Sequence, residues 1–216
     1  MPRVPVVLAL LLASAPAGAQ IIRPPRRSTP KTAWTNVSIG LLQLSDVRDG
    51  STQSEWQFGN AVQYRVTLEK TIQSGTTFGV SGAFARVPLT YVPLTVGPAG
   101  CTVSCDADAT VTQLVAMVHA GGGGIGFHQV IELVAGATGY SSFRARASGA
   151  KLPPLKLDAD LTLGFGYGFG YAFSPDMQVT LVQEGALTVH QRTGVPGGEN
   201  TLGRHYTTRV GIRFGL

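Results

Sequence analysis

The sequence predicts an all-β fold: a transmembrane, antiparallel, up-and-down β-barrel of about eight strands behind a cleavable signal peptide. Three observations carry this. In the stretch 159–173, ADLTLGFGYGFGYAF, every second position is large and apolar, from Leu161 and Leu163 through Phe165, Tyr167 and Phe169 to Tyr171 and Phe173. Gly164, Gly166, Gly168 and Gly170 lie between them. Successive side chains of a strand point to opposite faces, so one face is broad and greasy and the other nearly bare. The same alternation recurs along the chain, broken by connections that alternate in length. Finally, charged residues are only 13%, against a usual share of roughly 25%, yet mean hydropathy is only +0.16. Beyond the N-terminal ~20 residues no apolar run approaches the ~18 needed for a membrane helix. A membrane barrel has this composition because its polar face dilutes its apolar one.

The N-terminus reads as an export signal. Met1-Pro2-Arg3 is the basic start, Val6–Leu12 the apolar segment, and Ala17-Gly18-Ala19 the small-x-small cleavage site. Residues 1–19 are therefore assigned as signal peptide and Gln20 opens the mature chain. Residues 20–33 form a Pro/Arg-rich periplasmic arm. Its Arg23, Arg26, Arg27 and Lys31 hold much of the net charge of +5. Such an arm reads as a solvated tether, with contact to anionic lipid or cell-wall polymer as its functional alternative. Export removes nucleic acid from the possible partners.

Residues 34–216 are assigned to the barrel. The first strand runs from Trp34 to Leu44, with Val37, Ile39 and Leu41 on the apolar face. The second, Trp56 to Lys70, sets Trp56, Phe58, Val62, Tyr64, Val66 and Leu68 against Gln63, Arg65, Thr67 and Glu69. The third, Thr77 to Val87, sets Phe78, Val80 and Phe84 against small residues. The fourth spans Thr110 to Ala120 and the fifth Ile125 to Tyr140. The sixth is the stretch described above. The seventh, Met177 to His190, and the eighth, Arg204 to Leu216, complete the wall. The connections 71–76, 121–124 and 174–176 are short and the intervening ones long. That asymmetry is expected of a barrel with periplasmic turns at one end and outward loops at the other.

Volume decides which face points in. An eight-stranded barrel has room inside only for the side chains that fill it. The Phe/Tyr/Leu face is too bulky, so the Gly/Ala/Ser/Thr face lines the lumen. Aromatics gather near both strand ends, with Trp34, Phe78, Phe127, Phe173 and Phe214 at the periplasmic rim. Trp56, Phe58, Phe84, Phe143 and Tyr206 mark the outer rim, as lipid-facing girdles do. Gln183 on the lipid face and Val115, Met117, Val130 and Val134 on the lumen face run against the pattern.

Seven charges fall on the small-residue face: Arg65, Glu69, Glu132, Asp160, Glu184, Arg209 and Arg213. Unpaired buried charges are prohibitive, so Arg–carboxylate pairs are expected. Such a network is a structural plug or, alternatively, the lining of a narrow ion path beside the bare glycine stripe. Cys101 and Cys105 suit a small disulfide at a loop tip in an oxidising compartment. His119 and His128 flank the turn at 121–124, and His190 and His205 flank the last outer loop, all pointing inward. Two histidines without a carboxylate make no metal site, so no metal or cofactor is expected. Gly121-x-Gly123-x-x-Gly126 lacks the following helix that a dinucleotide needs and reads as a tight turn. The loop 141–157 carries Arg144, Arg146, Lys151 and Lys156, suited to lipopolysaccharide phosphates or an extracellular ligand.

With these strands and the final segment Arg209-Val210-Gly211-Ile212-Arg213-Phe214-Gly215-Leu216 in view, the chain resembles the small eight-stranded outer-membrane barrels, OmpA- and OmpX-like, of Gram-negative bacteria. The resemblance covers roughly residues 34–216. It implies a bacterial outer-membrane location, a monomer, and an assembly signal read by the barrel-assembly machinery through Arg209, Gly211, Phe214 and Leu216. Leu216 departs from the commoner terminal Phe. The resemblance also implies a structural or adhesive role through long outer loops, with a small porin-like channel as the alternative. A lipid-modifying enzyme is third. His205-Tyr206-Thr207 is only distantly similar to the His-x-Ser of lipid A deacylases, and enzymatic activity is not expected.

Overall fold

The computed structural model describes residues 31–122, 124–190 and 201–216. The residues assigned to the signal peptide, Gln20, most of the basic arm, Gly123 and the segment 191–200 lie outside the described residues. Among the described residues there are ten strands. They are β1 (Ala33–Leu44), β2 (Val47–Asp49), β3 (Ser54–Phe58), β4 (Ala61–Gln73) and β5 (Thr76–Pro93), followed by β6 (Cys105–Ala120), β7 (Gly126–Ala145), β8 (Asp158–Ser174), β9 (Met177–His190) and β10 (Thr201–Gly215).

Eight of them, β1 and β4–β10, close into an antiparallel barrel. The seam is β1 against β10, in register from Trp34↔Gly215 to Leu44↔His205. Closure leaves no unpaired edge, as a wall in hydrocarbon requires. The turns after β4, β6 and β8 are brief, and Gly75 with φ 75° makes the first of them. At the other end β5 and β7 reach 18 and 20 residues, roughly twice the 9–11 that cross a bilayer. The excess stands above the membrane. It absorbs much of what the sequence suggests as loop: Val87–Pro93 and Cys105–Ala109 are paired strand.

The outward face carries Val37, Ile39, Tyr64, Val80, Leu133, Phe165, Tyr167, Leu181, Val210 and Ile212, each about half exposed. An apolar belt around the whole circumference suits acyl chains and not water. Gln183 shares that face. The glycines of β8 lie on the inward face, and each sits beside an inward residue of β7. The pairs are Val134↔Gly164, Glu132↔Gly166, Val130↔Gly168 and His128↔Gly170. A Cβ at Gly164 would stand 2.8 Å from Val134 Cγ2, and one at Gly168 only 2.0 Å from the Leu181 carbonyl oxygen. The bare stripe is thus occupied by its neighbours, and the inward valines are its complement.

Three aromatics expected on the lipid face lie inside. Trp56 and Phe143 are fully buried within the outer half of the barrel, and Phe58 packs against them. The cause is one extra residue in each wall. Between Phe58↔Leu89 and Gln63↔Ala85 the β3–β4 chain carries five steps against four on β5, and the Gly59 N–H donates to the Pro88 carbonyl at 2.7 Å. Between Asp108↔Arg144 and Thr110↔Ser141, β7 likewise gains one residue, with Ser142 at φ 56°. A bulge of one residue sends every later side chain to the opposite face. Trp34 also differs from expectation. It sits on the lumen side, its ring 4.3 Å from the Arg213 guanidinium carbon, and floors the barrel.

Candidate functional site

The lumen is a column of paired groups. At its foot Arg213 donates to Glu69 at 2.6 and 3.1 Å and to Thr77 at 3.0 Å. Thr77 also donates to Glu69. One layer up, Arg209 pairs with Glu132, and His119 Nδ1 lies 3.2 Å from the other Glu132 oxygen. Above that, Arg65 makes a two-pronged contact with Glu184 at 2.5 and 2.8 Å and donates to Gln113 at 3.0 Å. Glu184 also lies 3.7 Å from Arg209, so the upper two pairs form one network. All six charges are at most 4% exposed. Strand geometry places them together: β1, with Gly40 beside Arg209, is too crowded for a Cβ there, which would meet Arg209 Cβ at 2.7 Å.

Asp160, the seventh inward charge, stands higher, with the outer histidines. His205 is buried, its ring nitrogens 3.3 Å from Gln113 and 3.2 Å from both Tyr140 and Thr188. It faces the lumen and not the acyl chains, and Thr207 is buried on the same side. His128 is half-buried at the periplasmic turn, Nδ1 3.3 Å from the Gly126 carbonyl.

At the outer rim the β2–β3 hairpin lies against β10, and its Asp49 side chain reaches toward β8 and β9. His190 donates through Nδ1 to Asp160 at 2.7 Å and brings Nε2 to 3.3 Å from Asp49. Burial alone would raise the Asp49 carboxyl. The approach of His190 and hydrogen bonds from Thr52 and Ser51 outweigh it and hold the group well below the ordinary carboxylate range. Asp49 and Asp158 were not legible as site residues, since one lies in a polar turn and the other at a strand start. The Asp158-x-Asp160 spacing on one strand face was the available signal.

Against this cluster packs an apolar cap. Trp56 meets Phe143 at 4.7 Å and Tyr140 at 5.7 Å between ring centroids. Tyr91, Leu42, Leu152 and Cys101 complete it. Cys101 and Cys105 are joined, with Cα atoms 5.6 Å apart. Cys105 opens β6 opposite Tyr91, so the disulfide ties the loop 94–104 into the cap. Outside, Arg144, Lys151 and Lys156 are exposed, and Arg146 donates to Asp108 at 2.7 and 3.1 Å. In the C-terminal strand Arg209 and Gly211 face the lumen, while Phe214 and Leu216 face outward. A Cβ at Gly211 would meet Asn36 Oδ1 at 2.7 Å.

No protein-family model matches the sequence, and no curated protein matches it. Solved structures do match. Neisserial surface protein A superposes with a TM-score of 0.54 at 11% identity, covering 85% of this chain and 97% of that one. The fold is that of a small outer-membrane β-barrel. OprG of Pseudomonas aeruginosa matches with a TM-score of 0.45 at 13% identity, over 86% of this chain and 98% of its own. The N-terminal barrel of OprF from the same organism gives 0.43 at 11%, over 86% and 98%.

Proposed function

We propose that the chain is an exported, monomeric protein of the bacterial outer membrane whose barrel is a closed platform. Its role is structural and adhesive, exercised through the outer face. The observation that carries this is the filled lumen. Three Arg–carboxylate pairs occupy the membrane-level interior, Trp34 lies under them, and the Trp56–Tyr91–Phe143 cap lies over them. An ion path would need each layer to open, and every opened pair would leave a buried charge uncompensated. The exposed cations Arg144, Lys151 and Lys156 favour an anionic partner, of which lipopolysaccharide phosphate is the nearest. The lumen-facing His205 gives no support to acyl-chain hydrolysis. Phe214 and Leu216, outward on the last strand, are available to the barrel-assembly machinery.

Planar-bilayer recording tests the platform. Reconstituted protein is expected to give no channel events, and resolved conductance steps would overturn the closed-barrel reading. Binding to lipopolysaccharide vesicles, compared with the Arg144→Ala/Lys151→Ala/Lys156→Ala variant, tests the adhesive part. Equal binding by both would remove it.

A further inference from the structure

The outer rim brings together four ionisable side chains from three elements, and the closed platform needs none of them. Asp49 comes from the β2–β3 hairpin, Asp158 and Asp160 from β8, and His190 from β9. We propose that Asp49, Asp158 and His190 bind a divalent transition-metal cation, preferentially Zn2+, with Asp160 as the residue that positions the imidazole.

The imidazole carries the argument. Its Nδ1–H donates to Asp160 Oδ2 at 2.7 Å. That bond orients the ring, and with Nδ1 as the donor Nε2 is the nitrogen that can give its lone pair to a cation, as behind a metal-bound histidine. The His190 side chain is only 1% exposed, yet Nε2 has no hydrogen-bond partner. It points at Asp49 Oδ1, 3.3 Å away. A ring nitrogen facing a carboxylate oxygen at that distance calls for positive charge between them, either a proton on Nε2 or a metal ion.

The carboxylates are arranged to match. Asp49 Oδ2 accepts from Ser51 Oγ at 2.8 Å, from the Thr52 N–H at 2.6 Å and from Thr52 Oγ1. Oδ1 accepts only the longer Ser51 N–H bond at 3.3 Å, so it is the oxygen left for a ligand role. One ligand atom each from Asp49, Asp158 and His190 lies within 4.8 Å of the other two. A tetrahedral ion with bonds of ~2.0–2.2 Å spaces its ligands roughly 3.3–3.6 Å apart. The His190–Asp49 pair already has that spacing, and rotation of Asp158 closes the third side. Asp158 is half-buried, which gives the ion access from the rim. Three carboxylates around one imidazole also leave excess negative charge that a dication offsets. A nitrogen with two carboxylates suits Zn2+, whereas Ca2+ takes six to eight oxygens. The competing occupant of the gap is a second proton on His190.

The test uses the refolded barrel in detergent, free of any polyhistidine tag. Calorimetric titration with ZnCl2 is expected to saturate at one ion per chain. His190→Asn and Asp158→Asn should each weaken binding at least tenfold, and Asp160→Asn ten- to a hundredfold. Heat-modifiable gel mobility verifies that each variant is folded. Two readouts need no variant at the site. Co2+ should give the intense visible bands of a tetrahedral centre, and Cu2+ should quench Trp56, whose ring lies 5.4 Å from His190, in a Trp34→Phe background. Absence of saturable Zn2+ binding to the unaltered protein overturns the proposal in favour of the protonated imidazole. So does wild-type affinity in a folded His190→Asn variant, or an octahedral Co2+ spectrum without Trp56 quenching.

Discussion

Replacing Glu184 by Leu probes the lumen most directly. Glu184 accepts two hydrogen bonds from Arg65, at 2.5 and 2.8 Å, and lies 3.7 Å from Arg209. All three groups are at most 4% exposed. Removing the carboxylate leaves Arg65 with Gln113 as its remaining acceptor at 3.0 Å. Breaking a buried pair from one side costs about 3–5 kcal/mol, because the stranded charge stays desolvated. Replacing both members by apolar residues of similar volume is near neutral or stabilising. The double variant Arg65→Met/Glu184→Leu should therefore be more stable than Glu184→Leu alone, by about 2 kcal/mol or more. Urea unfolding of the detergent-folded barrel, followed by tryptophan emission, measures all four corners of the cycle. Single losses that add within about 0.5 kcal/mol would show two uncoupled sites and refute the paired plug.

Four other outcomes follow from the geometry. Leu181→Arg places a cation on the lipid face and should cost about 2–4 kcal/mol in lipid vesicles, depending on depth. Gly168→Val should abolish the heat-modifiable folded form, since its Cβ would press on the Leu181 carbonyl at 2.0 Å. Cys101→Ser/Cys105→Ser opens a loop of sequence separation 4. Chain entropy limits the loss to about 2 kcal/mol, so the barrel should still fold, with a lower urea midpoint that reductant no longer shifts. Deleting Ser142 removes the β7 bulge. Arg144 then stays opposite Asp108 and Phe143 falls opposite the buried Ala109. Phe143 should therefore remain inside with the near-ultraviolet dichroism of Trp56 retained, and loss of that signal would refute the one-residue bulge.

Much of this fold was legible because a barrel wall repeats one rule. Period-two alternation placed Val62, Tyr64 and Val66 outside and Gln63, Arg65 and Thr67 inside, and the short turns set the strand order. The inward charges were legible for the same reason, since parity alone carries them to the lumen. What alternation cannot reveal is a place where it is broken by one residue. Trp56 and Phe58 share a parity with Val62, and only Gly59-Asn60 hints at the flip between them. Phe143 was hidden by Ser141-Ser142 in the same way. The rim cluster was illegible for a different reason. Asp49 reaches His190 across 141 positions of sequence only because a hairpin folds back over the barrel mouth, and no local pattern encodes that contact.

The parity switches have a consequence for how the molecule sits in its bilayer. Below them grease faces out and charge faces in; above them the same sheet is an ordinary water-soluble protein with a greasy middle. Phe84 and Tyr206 are the last large rings on the outer surface of β5 and β10 before Arg86 and Arg204 take over that surface. The waterline is thus written into the wall itself. Sliding inward would drag guanidinium groups into hydrocarbon, and sliding outward would strip lipid from the aromatic belt, so immersion depth is set independently of any loop or partner.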